Sequence, residues 1–190
     1  VLNEAVRQLK EWEKEGINLH ISINLSVRNL HDAGFPAMLE ELLRESGISP
    51  RLLNFEITEN AIMTDPLYAS EMLMVLKGMG ISVSIDDFGK GYSSLSYLSN
   101  LPVDELKIDK GFVMGMSGND GDAIIVRSTI DLGRNLGLQV VAEGVENREA
   151  LGKLAEMGCD IAQGYFISKP LKKDELEKWL KSVKGGFDWR

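Results

Sequence analysis

Cysteine is almost missing from this chain. Cys159 is the only one among 190 residues, so no internal disulfide forms and the composition suits a reducing compartment. Its place between Gly158, which ends a helical pattern, and an apolar strand pattern marks it as a buried, inert thiol. Basic charge is also short. Lys and Arg number 21 against 29 Asp and Glu, for a formal net charge of −8, and no basic run interrupts the excess. Such a surface repels a nucleic-acid backbone, so DNA and RNA are not expected partners, and an anionic ligand would need divalent cations as a bridge. There are two histidines, His20 and His31. Neither ends a strand pattern, which together with the lone cysteine argues against zinc. No apolar stretch is long enough to span a bilayer, and the first residues do not resemble a signal peptide. A cytoplasmic domain is expected; the full-length protein could still be membrane-tethered upstream.

What is present is enough apolar material, 44% of residues, for one sizeable core and a single globular domain. The chain opens inside an amphipathic pattern. Val1, Leu2, Ala5, Val6, Leu9 and Trp12 recur at helical spacing, and the natural protein is expected to be longer on that side. A fixed punctuation then repeats: a helical pattern runs into glycine, at Gly16, Gly47, Gly80, Gly137 and Gly158, and a short apolar strand follows. The strands read as Leu19–Asn24, Leu53–Ile57, Ile81–Asp86, Glu105–Asp109, Gln139–Glu143 and Asp160–Gln163. Helices are expected at about 36–46, 67–79, 92–99, 120–136, 147–157 and 172–184. Pro36 and Pro66 suit a first helical turn, and Asp122 and Asn147 suit helix N-termini. Alternation of this kind means an α/β fold with a parallel sheet. An open doubly wound sheet and an (α/β)₈ barrel both accommodate six such units. Gly89-Lys90-Gly91 lacks the third glycine of a dinucleotide fingerprint and follows two aspartates, which weakens the nucleotide-fold option. Residues 185–190 read as a flexible tail.

The polar residues fall at the strand ends: Asn24, Glu56, Asp86 with Asp87, Lys107, Glu143 and Gln163. In parallel α/β folds those ends converge on the ligand-binding face, and gathering so many polar groups there has little structural purpose. Carboxylates and amides without a thiolate or a histidine pair suit hard cations such as Mg²⁺, Mn²⁺ or Ca²⁺. Adjacent aspartates cannot point the same way along a regular strand. A strand that stops at Asp86 would let Asp87 lean into the same site, and two cations bridged by Asp86 would suit in-line phosphoryl displacement. A neighbouring lysine could hold the attacking water or neutralise developing charge. Taken singly, each residue has a plainer reading: a helix cap, turn chemistry at Asn24 and Ser26, solvated helix-start acids at Glu59 and Glu146, a surface lysine at Lys107. Their joint placement favours the functional one.

The runs Asn24-Leu25-Ser26, Glu56-Ile57-Thr58-Glu59, Asp86-Asp87-Phe88-Gly89-Lys90-Gly91-Tyr92-Ser93-Ser94-Leu95, Leu106-Lys107-Ile108-Asp109, Val141-Ala142-Glu143-Gly144-Val145-Glu146 and Gln163-Gly164-Tyr165 with Lys169-Pro170 resemble the EAL-domain family of bacterial cyclic di-GMP phosphodiesterases, in the family's order and spacing. The resemblance implies a TIM-like (β/α) barrel, with about six of its eight strands in this chain, over a domain at 1–184. It implies a two-metal site taking Mg²⁺ or Mn²⁺ and usually inhibited by Ca²⁺. Carried over, Asn24, Glu56 and Asp86 are ligands of one metal, and Asp86, Asp87 and Glu143 are ligands of the other. Lys107 positions or activates the water, Gln163 stands at the water and metal site, and Glu59 holds the loop after Asp87. The implied reaction is hydrolysis of cyclic di-GMP to linear pGpG. A homodimer and upstream sensor or GGDEF domains are the partners it implies.

Two departures stand out. The Glu-Ala-Leu signature of the family's early strand, whose glutamate is a metal ligand, is absent, so weak or no turnover is expected from these residues alone. Lys90 occupies a loop position where the family usually has a small residue such as threonine; the readings are a solvent-facing lysine or altered loop or dimer behaviour. Two rival functions remain at this stage: a non-catalytic cyclic di-GMP receptor, and a barrel enzyme using Lys107 as a Schiff-base nucleophile.

Overall fold

All six strand patterns form strands. The computed structural model describes residues 1–90 and 98–183. In it, β1 is Ile21–Asn24, β2 Leu53–Thr58, β3 Ser82–Phe88, β4 Glu105–Ile108, β5 Gln139–Glu143 and β6 Ile161–Gln163. The helices among the described residues are α1 Leu2–Lys14, α2 Val27–Leu30, α3 Phe35–Ser46, α4 Glu59–Thr64, α5 Pro66–Gly78, α6 Lys110–Gly115, α7 Asp120–Leu136, α8 Arg148–Met157 and α9 Lys173–Ser182. The chain divides into two compact units, Val1–Leu106 and Lys107–Arg190.

In the first unit β1, β2 and β3 pair in parallel, with Ile23 beside Phe55 and Phe55 beside Val83. Parallel neighbours need a crossover, and α3 and α5 lie in the two connections. The two faces of these strands differ. Ile23, Phe55, Ile57, Val83 and Ile85 are buried on one of them. The alternate positions carry Ser22, Asn54 and Ser84. The buried Asn54 Nδ2 donates to Ser22 Oγ at 3.0 Å and to Ser84 Oγ at 2.6 Å, and Ser84 Oγ donates to Glu105 Oε2 at 2.9 Å. Period-2 alternation puts Asn24, Glu56 and Asp86, each two residues further on, on the same polar face.

In the second unit β5 and β6 pair in parallel, Val141 beside Ile161 and Glu143 beside Gln163. The apolar face of α7 (Val126, Ile130) and that of α8 (Leu151, Leu154) pack with Val140, Ala142 and Val145. Left-handed glycines end α7 at Gly137 and α8 at Gly158, with φ of 72° and 77°. Asn147 caps α8 by accepting from Ala150 N at 2.8 Å. Cys159 is half-buried; its Sγ donates to the carbonyls of Val140 and Ile161, each at 3.4 Å. Burial pushes its thiol above the usual range, which keeps it protonated at neutral pH, in line with an inert role.

Three short helices were not expected. Helix α4 starts directly after β2 with no glycine or proline between; Thr58 ends the strand and also caps the helix, accepting from Ala61 N at 3.3 Å. Helix α6 hides behind two glycines in six residues, Gly111 and Gly115, and is started by Asp109, whose Oδ1 accepts from Gly111 N at 2.8 Å. Helix α2 is a single turn capped by Ser26. Asp109 therefore caps a helix instead of closing β4. Asp160 precedes β6, its carboxylate accepting from Val140 N at 2.9 Å. The helix expected at about 92–99 lies mostly outside the described residues, as does the tail at 185–190.

Candidate active site

Strand β3 does not stop at Asp86 as expected: it runs on to Phe88, with a left-handed residue inside it, although its register with β2 ends at Asp86 beside Thr58. Asp87, at φ 55°, is the one non-glycine residue with positive φ among those described. Aspartate tolerates that conformation better than most side chains. The turn breaks the strict alternation that would send neighbouring aspartates to opposite faces. Asp87 N donates to Asp86 Oδ1 at 3.0 Å, tying the two residues together. Gly89 follows at φ 100°, and its N–H donates to Glu59 Oε2 at 3.2 Å. Glu59, in the first turn of α4, is buried at 4% exposure, so it is not a solvated helix-start acid; it grips the backbone just beyond the aspartate pair. Lys90 reaches back, Nζ 3.0 Å from Asp87 Oδ1. The loop residues from Gly91 to Leu95 lie outside the described residues.

Asn24 and Glu56 are direct neighbours across β1 and β2. Asn24 is exposed, and Glu56, Asp86 and Asp87 are partly so. In the second unit Lys107 is buried at 4% exposure, which excludes the surface-lysine reading. Its Nζ lies 2.6 Å from Glu143 Oε1. A lysine this deep needs a partner for its charge, and Glu143 supplies one. The ion pair engages Nζ, whereas a Schiff-base nucleophile needs an amine free to attack. Glu143 and Gln163 are register partners at the ends of β5 and β6. Both line a cavity of about 410 Å³, with Lys110, Glu146, Gly164 and Tyr165 around it.

Among the described residues no group of three or more His, Cys, Asp and Glu is gathered closely enough to hold a metal ion. The donor chemistry fits one all the same. Every candidate ligand offers oxygen, and an adjacent aspartate pair fixed by an unusual backbone suits a hard divalent cation.

Several features escaped the sequence reading. The Lys90–Asp87 contact is one, and Lys110 at the cavity is another; Tyr165 and Lys169 stood in the family-like runs, but their contact, with Lys169 Nζ 5.9 Å from the centre of the Tyr165 ring, did not. The chain also holds one Glu-Ala-Leu run, Glu149-Ala150-Leu151. It lies in the first turns of α8, where Ala150 and Leu151 are core residues and Glu149 pairs with Lys153 at 2.8 Å. Glu149 is no strand-end carboxylate, so this run is not placed where the resemblance puts the signature glutamate.

The family model described as the EAL domain matches residues 1–170. The chain belongs to the EAL domain family. Among relatives, it is 40% identical over 177 residues to the bifunctional diguanylate cyclase/cyclic di-GMP phosphodiesterase MucR of Pseudomonas aeruginosa, covering 93% of this chain and 26% of that protein. It is 37% identical over 185 residues to the cyclic di-GMP phosphodiesterase NbdA of the same organism, covering 97% of this chain and 24% of that one. Among solved structures, the MucR phosphodiesterase in complex with c-di-GMP superposes with a TM-score of 0.89 at 39% identity, covering 92% of this chain and 71% of that chain. This EAL domain chain thus spans only about a quarter of the length of the curated relatives it matches. Its fold class is accordingly that of a TIM-like α/β barrel, six of whose strands are present.

Proposed function

We propose that this EAL domain hydrolyses cyclic di-GMP, opening one phosphodiester bond to give linear pGpG. The observation that carries the reading is the buried Lys107–Glu143 pair at two strand ends, 2.6 Å between Nζ and Oε1. Burying charge costs folding free energy even when it is paired, and such pairs in a cleft are found disproportionately at functional sites. Asn24, Glu56, Asp86, Asp87 and Glu143 would hold Mg²⁺ or Mn²⁺. Bound there, the ions supply charge neutralisation at the phosphoryl oxygens and a water acidic enough to attack phosphorus.

The protein's own groups do the rest. Lys107, held in place by Glu143, donates a hydrogen bond to the attacking water or to a phosphoryl oxygen as charge builds. Gln163 orients that water through its carboxamide. Glu59 fixes the backbone at Gly89 and so the reach of Asp87. The water oxygen bonds to phosphorus as one bridging P–O bond breaks; one of the water's protons ends on the departing sugar oxygen, and the other is lost to solvent as the new terminal phosphate ionises. Turnover by these residues is slow, because none of the six strands carries the family's signature glutamate. A homodimer and multidomain setting, with the domain on the cytoplasmic side, complete the proposal; one relative is named a signalling protein and another combines diguanylate cyclase with phosphodiesterase.

Binding tests the reading before any rate is measured. Calorimetric titration with cyclic di-GMP should give saturable binding with Ca²⁺ present, weaker by about ten-fold or more in Asp86→Asn, since a lost charge-assisted ligand is worth roughly that factor. Equal affinity in EDTA and in Asp86→Asn would contradict it.

A further inference from the structure

Lys90 places a cation on the same carboxylate that the proposed function gives to a metal ion. Its Nζ is 3.0 Å from Asp87 Oδ1, with side-chain exposures of 50% for Lys90 and 44% for Asp87. We infer that Lys90 is a tethered competitor for Asp87, which raises the divalent-ion concentration the site needs and is displaced when the ion binds. The inference rests on the reading of Asp87 as a metal ligand.

Two observations make the competition direct. The Asp87 carboxylate cannot withdraw by backbone adjustment, because its residue is held in the left-handed region at φ 55° between two anchors. Those anchors are the Asp87 N–H to Asp86 Oδ1 and the Gly89 N–H to the buried Glu59. Lys90, in contrast, is half exposed on a flexible four-carbon stem, so its ammonium can exchange the carboxylate for water. The fixed member is the anion and the movable member is the cation. A divalent ion arriving at Asp87 must therefore displace an ammonium from a carboxylate whose backbone is already anchored. An exposed pair of this type weakens a competing ligand by about five-fold at most, and salt should erase the effect because exposed charges are screened.

The contact also separates this residue from the rest of the site. Lys90 makes no chemical contribution to hydrolysis in this scheme. It is a positioning residue that shifts metal demand and leaves the reacting groups as they are.

Titration of the 190-residue chain with Mn²⁺, following free Mn²⁺ by electron paramagnetic resonance, tests it. Lys90→Thr should tighten binding about five-fold at low KCl, and the gain should shrink at high KCl. Lys90→Arg, which keeps the charge, should bind like the parent. Asp87→Asn, chosen because asparagine accepts the same backbone, should bind at least about ten-fold more weakly. In the double variant the Lys90→Thr gain should vanish, since the two residues act on one oxygen. Weakened binding in Asp87→Asn without any gain in Lys90→Thr would overturn the inference while leaving the metal reading in place. Unchanged binding in Asp87→Asn, or no saturable Mn²⁺ binding by the parent, would overturn the metal reading and the inference with it.

Discussion

Replacing Lys107 with methionine is expected to slow cyclic di-GMP hydrolysis by between about 10² and 10⁴-fold relative to the parent chain, the range seen when a positioned proton-handling group is removed. Methionine keeps most of the buried stem and removes only the ammonium. Two effects then have to be separated. One is chemical: nothing donates to the water or to the developing charge. The other is structural: Glu143, whose side chain is 20% exposed, loses the cation 2.6 Å away. Breaking a fully buried pair costs about 3–5 kcal/mol; the partial exposure of Glu143 reduces that here. Thermal melting of Lys107→Met beside the double variant Lys107→Met/Glu143→Gln resolves them. The double variant should recover stability, because no unpaired carboxylate remains; hydrolysis should stay slow in it on two counts, since Glu143 is also a proposed metal ligand, so the chemical effect is read from the turnover per folded molecule of the single variant. Recovery of turnover along with stability would mean that Lys107 acts only through folding.

Gly164→Ala should be the most destabilising single methyl addition in the second unit. A Cβ there would lie deep inside contact with the backbone N and O of Val145 and 2.7 Å from its carbonyl carbon. Side chains can move aside, but this backbone is pinned. Val145 N donates to the Gln163 carbonyl, and Phe166 N donates to the Val145 carbonyl, each at 3.0 Å. Overpacking against fixed atoms costs about 3 kcal/mol, and for a chain of this size that lowers Tm by about 6–12 °C. Because Gln163 is the preceding residue, the same substitution should displace its carboxamide and reduce turnover of the folded fraction. Gly152→Ala is the matched control. Its Cβ would meet nothing within 4 Å, and in the middle of α8 alanine should raise Tm slightly.

The physics behind these effects also explains what could be read in the amino-acid sequence. Strands β2 and β3 were legible because apolar residues recur at every second position, Leu53, Phe55 and Ile57 in one and Ile81, Val83 and Ile85 leading through the other, and the helix before β2 was legible because Gly47 in the left-handed region marks where it stops. The strand-end residues were legible for the same reason, since polar groups after such runs are conspicuous. What remained hidden depends on geometry that spacing does not encode. Nothing in the order Asp86-Asp87 says that a left-handed Asp87 will sit inside a continuing strand. Nothing in the string Glu56-Ile57-Thr58-Glu59 separates the last strand residue from a buried carboxylate that grips Gly89; that role for Glu59 came from the family resemblance, and the 3.2 Å bond to Gly89 N is its structural counterpart. The polar row of Ser22, Asn54 and Ser84 passed unnoticed because serine and asparagine inside strands look like interruptions until their partners are known. Lys90 was noticed only as an odd residue in a loop, and its meaning depends on which oxygen it touches.

Product analysis tests the central claim most directly. The chain is incubated with cyclic di-GMP and Mn²⁺, with a parallel sample in EDTA, and the nucleotides are separated by ion-exchange chromatography. The expected result is slow conversion to linear pGpG in Mn²⁺ alone, lost in Lys107→Met. Conversion that continues in EDTA, or cyclic di-GMP that binds and is recovered uncut after prolonged incubation with Mn²⁺, would contradict it.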